Sequence, residues 1–385
     1  MNRLSMIILF AALLLIGCQS KASETQVKTE HPAAAPLETS NTHPSSHTAD
    51  SNIKKDERHK KTSSFEPKAT ISITSHAYHA TSTIITTTDR TEDVSEIAYH
   101  IWRTADGPAS MKKFSAKSKD TNFAFLFDIK EFRSQRGEYQ VEAYSIHKNG
   151  KQELLARSTL TFQQRVPILM YHAVDEYKGT GLKGLFVTPA NFEAQMRYLK
   201  DNGYTLLTFE RWKDVNKVNK PVFVTFDDGM KNNMTAFRIL QTLKDDHFQP
   251  AATEYVIAAR IDGGPPWLST ENLKEMVNSG IFSVQSHTMT HADLTKTTNY
   301  REELYDSKQK IEQITGKPVI AIAYPFGHFD DTVVEETKKY YHYATATKPG
   351  LFIEKGQQNE RLLMQRVRIS YSTTLQQFAA LLEHP

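Results

Sequence analysis

The spacing of apolar residues changes along the chain, and each change marks a different kind of element. Across 69–164, short runs at 69–75, 96–102, 123–127, 138–144 and 154–162 carry apolar and aromatic side chains, most of them in alternation with polar ones. A period of two buries one face of a strand. Asp106-Gly107 and Asn149-Gly150 mark turns between the runs, at the spacing of a small antiparallel β-sandwich. From 165 onward the rhythm is mixed. Apolar runs at 166–171, 205–208, 222–225, 253–257, 282–284 and 319–323 read as strands. Helical patterns lie between them. One opens at Thr188-Pro189, places Phe192, Met196 and Leu199 on one face and stops at Gly203. Others start at 230–233 and run over 273–277 and 304–314, the last closed by Gly316 before Pro318. Repeated strand–helix units predict an α/β fold with a parallel sheet, and this many in about 220 residues favour a barrel.

The N-terminal stretch has neither pattern. Residues 6–16 are a continuous apolar run after Arg3, short for a bilayer span and suited to the core of an export signal. The run leads into Leu15-Ile16-Gly17-Cys18, which resembles a bacterial lipobox with Cys18 as the lipidated residue. Cys18 is the single cysteine, so the exported body has no disulfide and its domains rely on core burial. Residues 19–68 are rich in Ser, Thr, Ala, Pro, His and Lys, a composition too polar to bury a core, and predict a disordered tether. His31, His43, His47 and His59 are scattered in it and read as inert. The domain reading is therefore a signal peptide at 1–18, a tether at 19–68, a β-sandwich at 69–164 and a catalytic domain at 165–385. A formal charge of +3 and the lack of a basic stripe with interleaved aromatics argue against nucleic acid as a partner.

Candidate chemistry collects just past strand ends. The strand at 222–225 runs into Asp227-Asp228-Gly229. Ser286-His287-Thr288-Met289-Thr290-His291 follows the strand at 282–284, and Tyr324-Pro325-Phe326-Gly327 follows the strand at 319–323. Two histidines four apart share a face if helical. With one carboxylate they supply three ligands for a divalent metal, and the second carboxylate is free to move protons. Thr288 stands where the zinc-protease pattern has its glutamate, so a base has to come from elsewhere, and Asp227 is available.

Together these segments resemble the polysaccharide deacetylases, the family 4 carbohydrate esterases. Thr225-Phe226-Asp227-Asp228-Gly229 matches the family's first motif, 286–291 its second and 324–327 the end of its third. The resemblance implies a distorted (β/α) barrel of about seven strands. It also implies Asp227 as general base and Asp228, His287 and His291 as ligands of one divalent metal, zinc first, with cobalt, nickel or ferrous iron as alternatives. The family's late acid histidine is missing after 327. Leu169-Met170-Tyr171-His172 at the start of the domain resembles instead the permuted members, which include poly-N-acetylglucosamine deacetylases, and makes His172 the acid. Tyr324, Pro325, Phe326 and Gly327 would form the oxyanion and substrate loop. The third-motif arginine and the Asp-x-x-Asp-Trp motif are absent, while Arg366 resembles the late arginine of permuted members and would orient Asp227. Within 69–164, Arg136-Gly137-Glu138-Tyr139 before a strand resembles the Bsp-like repeat of Gram-positive surface proteins, suited to a spacer or wall-binding module.

The expected activity is removal of acetyl groups from N-acetylglucosamine units of peptidoglycan or poly-β-1,6-N-acetylglucosamine. It would take place at the outer face of a bacterial membrane. Two competing readings are a ferrous oxygen-activating site and a non-catalytic wall-binding lipoprotein with a degenerate esterase domain. The first leaves Asp227 and the export signal without a role.

Overall fold

The computed structural model describes residues 65–88, 94–117 and 121–383, so Cys18, the apolar run at 6–16 and the tether histidines lie outside the described residues. No helix among the described residues is long and apolar enough to cross a membrane.

The first seven strands, in chain order, are β1 (Thr70–Ile73), β2 (Ser82–Thr88), β3 (Val94–Arg103), β4 (Lys112–Ala116), β5 (Phe125–Asp128), β6 (Gly137–His147) and β7 (Gln152–Phe162). They form two antiparallel sheets, β1-β2-β5 and β4-β3-β6-β7. Ile85 and Phe127 from one sheet pack with Ile97, Tyr99, Tyr139, Val141 and Leu160 from the other in a single core. The Tyr99 hydroxyl donates to Phe123 O and Thr87 Oγ1, both at 2.9 Å. The sequence pattern hides β2 and β4. In β2, STIITTT, the buried positions include Thr83 and Thr87, whose hydroxyls are satisfied inside the sandwich.

The second half is a closed parallel barrel. Its remaining strands are β8 (Ile168–Tyr171), β9 (Ala173–Val174), β10 (Phe186–Val187), β11 (Thr205–Leu206), β12 (Pro221–Phe226), β13 (Ala252–Val256), β14 (Phe282–Ser286), β15 (Ala321–Ala323), β16 (Tyr343–Pro349) and β17 (Met364–Arg368). The ring runs β8-β12-β13-β14-β15-β16-β17 and closes on β8 through parallel pairing, giving seven staves. Helices α1 (Pro189–Asp201), α2 (Asn233–Leu243), α3 (Thr270–Asn278), α4 (Ser307–Thr315), α5 (Asp331–Lys338) and α6 (Leu375–Leu381) alternate with these strands along the chain.

Three expectations change. The run at 205–208 is not a stave: β11 is two residues long and only extends the start of β12. The two staves without an apolar signature are β16, which reads YATATKP, and β17, which reads MQRVR around Arg366. The helix expected over 304–314 begins with a π-helical turn at Arg301–Asp306 before α4.

Strand parity decides what reaches the mouth, because alternate side chains face opposite ways. On β12, Val222, Val224 and Phe226 join the large core shared with helix residues such as Phe192, Met196 and Phe237. Phe223 belongs to a second cluster with Ile168, Tyr255, Ala321 and Met364, inside the barrel. Counting in twos from these inner residues leads up the strands to Asp227, His172 and Arg366.

Candidate active site

Asp227 and Asp228 are neighbours with different directions. The Asp227 N–H still donates to Tyr171 O at 3.0 Å, as a strand residue would. Asp228 then turns the chain with φ 78°, followed by Gly229 at φ 76°. A Cβ on Gly229 would sit 3.1 Å from Val256 Cγ1, so glycine suits both the turn and the close approach to β13. This turn brings both carboxylates to the mouth despite the strand's alternation.

The histidines converge by a loop rather than the helical face expected for a four-residue spacing. His287 follows β14 directly, and Thr288 and His291 both adopt left-handed backbone, φ 65° and 67°. The His287 and His291 rings stand 4.7 Å apart. Asp228 Oδ1 lies 3.5 Å from His287 Nε2 and 3.7 Å from His291 Nε2. One ligand atom from each of the three residues falls within 4.8 Å of the others. A tetrahedral ion with bonds of about 2.1 Å spaces its ligands by about 3.4 Å, so the donor set fits a divalent metal after small adjustment. His287 Nδ1–H donates to Ala323 O at 2.8 Å, which fixes the tautomer and leaves Nε2 as a free donor atom for a cation. Burial pushes the Asp228 carboxyl up and holds both imidazoles below their ordinary range, so in the free protein the histidines are neutral.

Asp227 has a separate partner. Arg366 Nη1 and Nη2 donate to its Oδ1 and Oδ2, both at 2.7 Å. The guanidinium is wholly buried and also donates to Thr225 Oγ1 and Ala346 O. Burial alone would push the Asp227 carboxyl up; the arginine outweighs this and holds it well below the usual carboxylate range. His172 Nε2 lies 4.0 Å from Asp227 Oδ2 on the other side. Burial first, then the charges of Arg366 and Arg368, lower the His172 pKa against the pull of Asp227.

The loop after β15 covers this group from a third side. Phe326 is left-handed at φ 61°, half exposed, and sets its ring 4.7 Å from that of His291. Tyr324 and Pro325 are buried beneath it. A Cβ on Gly327 would lie 2.7 Å from Thr347 N, which excludes any larger residue without moving β16.

Residues 214–344 match the profile of the polysaccharide deacetylase family. A solved polysaccharide deacetylase from Bacillus cereus is 62% identical, with a TM-score of 0.80, covering 82% of this chain and 100% of its own. YxkH of Bacillus subtilis (strain 168), provisionally named a polysaccharide deacetylase, is 31% identical over 228 residues, 57% of this chain and 76% of that protein. The chain belongs to the polysaccharide deacetylase family. The poly-β-1,6-N-acetyl-D-glucosamine N-deacetylase of Staphylococcus aureus (strain MRSA252) is a more distant relative, 25% identical over 177 residues, 41% of this chain and 59% of that one.

Two acids of this deacetylase were not singled out in the sequence. Glu303, buried in the π-helical turn, accepts the N–H groups of Met289 and Thr290 at 3.0 and 2.9 Å and the Thr290 hydroxyl at 2.5 Å. It anchors the loop that carries His291. Glu254, on the outer face of β13, accepts from Asn233 Nδ2 at 2.9 Å. Burial pushes its carboxyl well above the ordinary range. A glutamate in a helix or a strand has no local signal for such a role; only the contact with a distant loop reveals it.

Proposed function

We propose that the protein is a metal-dependent N-deacetylase that removes acetyl groups from N-acetylglucosamine units of a cell-surface polysaccharide. The observation that carries this reading is a three-donor cluster beside a carboxylate already committed to its own buried arginine. Asp228, His287 and His291 would hold one divalent ion, zinc foremost. When bound, the ion supplies a Lewis acid for the acetamide carbonyl and lowers the pKa of a water towards ~7.

The chain's own groups divide the remaining work. Arg366 keeps Asp227 ionised, so Asp227 is always in the form that accepts a proton from the attacking water. That low pKa makes it a weak base, and an acidified water makes the transfer less uphill. His172 protonates the leaving amine; an imidazolium whose pKa is held low gives up its proton readily. The Phe326 N–H, in the left-handed turn whose ring meets that of His291, would donate to the carbonyl oxygen as charge develops there. Acetate and a glucosamine unit leave. The complete donor set and the paired base favour this reading over a degenerate, non-catalytic domain.

The polymer is poly-β-1,6-N-acetylglucosamine, as in the name of the Staphylococcus relative, or peptidoglycan. The enzyme would act from the outer face of the membrane, tethered through lipid on Cys18, and a Cys18→Ser chain should lose lipid label. The test of the chemistry is a pair of variants on N-acetylglucosamine oligomers. Asp227→Asn should retain metal and lose turnover. His172→Ala should fold, retain metal and turn over slowly. Near-normal acetate release by either variant removes that residue from its role.

A further inference from the structure

We propose that Tyr177, Lys183, Arg368 and Tyr371 form a subsite for the sugar next to the one deacetylated, and that its two cations select a neighbour carrying a carboxylate. The proposal rests on the deacetylase reading above and names the substrate class within it.

Strands β8 and β17 are paired, so the loops that leave them share one side of the mouth, the side of His172. The loop after β9 leaves the strand end and returns through β10, where the Asp175 N–H donates to Val187 O at 3.1 Å. Within it the Tyr177 ring meets Phe186 at 5.4 Å and Tyr371 at 6.4 Å. Lys183 Nζ lies 4.3 Å from the centre of the Tyr371 ring. Tyr371 is 36% exposed and Leu182 73% exposed. Here an apolar, aromatic wall stands open to solvent at the rim of a site for a polar polymer. Aromatic faces give a sugar ring a large, rigid apolar contact with little lost side-chain freedom.

The charges add selectivity. Arg368 stands two residues past Arg366 on β17 and projects to the same side, and its charge reaches His172. Arg368 makes no hydrogen bond or ion pair among the described residues, and Lys183 has only ring contacts with Tyr177 and Tyr371. Of the two acids on this loop, Asp175 faces Lys178 at 4.0 Å and Glu176 makes no ion pair among the described residues; Asp227 at the mouth is held by Arg366. Two free cations against one acid have no counterpart in a neutral glycan.

The far side completes the path. Phe326 follows β15, three strands from β8 round the ring through β16 and β17. A polymer held at both ends would run from Phe326, whose ring meets that of His291, to Tyr371 on the side of His172. A polymer whose alternate sugars bear a free carboxylate, such as a peptidoglycan strand stripped of its stem peptides, fits this rim; β-1,6-linked N-acetylglucosamine does not use its charge.

The test compares two β-1,4 tetrasaccharides of alternating N-acetylglucosamine and N-acetylmuramic acid, one with free lactyl carboxylates and one with those groups as primary amides. Binding to the purified protein is measured by calorimetry at low and high salt, and acetate release is followed separately. The acid form should bind about tenfold more tightly at low salt and lose that preference at high salt. Lys183→Gln and Arg368→Gln should each cut the preference about threefold, while Tyr371→Ala should weaken both forms alike. Equal binding of the acid and amide forms, or a preference untouched by both cation variants, overturns the subsite. Absence of acetate from either oligomer would count against the deacetylase reading alone, because the subsite is judged by binding.

Discussion

Arg103 in the sandwich and Arg366 in the barrel are both buried, and each holds an aspartate with two hydrogen bonds. Their surroundings differ. Asp106, the partner of Arg103, has a side chain 32% exposed, and the arginine also reaches Asn219 at 3.0 Å, tying the sandwich to the barrel. Asp227, the partner of Arg366, is 3% exposed and stands beside a histidine and a donor cluster. The first pair keeps water on one side and works as a fastener. The second has given up its water, which makes the aspartate's charge depend chiefly on the arginine. The same contrast holds for whole regions: the buried side-chain polar atoms without a partner among the described residues, Gln195 Nε2, Asn233 Oδ1 and Glu254 Oε2 among them, all lie in the barrel. Among the described residues the sandwich satisfies its buried side-chain polar groups, while the barrel leaves some of its own without a partner.

The sharpest way to break the comparison is to remove both arginines in separate chains. Arg366→Met should destabilise the barrel by roughly 3–5 kcal/mol, because it leaves a buried carboxylate unpaired, and should abolish measurable acetate release. Arg103→Met should cost about 1–3 kcal/mol and leave acetate release unchanged. Denaturant midpoints and acetate assays on both variants check this. Comparable losses of activity in the two would erase the distinction between fastener and functional pair.

The loop that carries His291 gives a smaller effect. Glu303→Ala removes three hydrogen bonds from that loop and should weaken metal binding about 10–100-fold, with the fold intact. Glu303→Gln, which keeps an acceptor, should recover part of the loss. Equal metal affinity in Glu303→Ala and the unaltered chain would show that the loop holds itself.

How far these features can be read beforehand follows from how local each one is. Asp227, Asp228, His287, His291 and the loop at 324–327 stand in contiguous motifs next to strand ends, and the apolar runs beside them mark five of the staves. Arg366 could be picked out only through the family resemblance, since MQRVR carries no strand pattern of its own. Its alternation is inverted, with a buried arginine where an apolar residue is expected. β16 is small and hydroxylated and so gives no apolar run. The convergence of the histidines through left-handed residues was not legible, because a β-branched Thr288 gives no sign of positive φ and a histidine adopts it only in a minority of cases.

The smallest effect concerns pH. If His172 donates the proton, as proposed, it does so only when protonated, and the rate should fall as pH rises through its pKa. Burial and the charges of Arg366 and Arg368 place that pKa below the ordinary imidazole range. Arg368→Gln removes one lowering charge, so the descending limb of the pH–rate profile should move to higher pH. A limb that stays in place would mean that another group donates the proton.

The most direct measurement of the central claim is acetate release from a defined N-acetylglucosamine oligomer by the purified protein, stripped of metal and then reloaded with one equivalent of zinc. The account predicts loss of acetate release on stripping, return on reloading, and no return in a His287→Ala, His291→Ala chain. Acetate release that survives complete removal of metal, or none from the zinc-loaded protein, would contradict it.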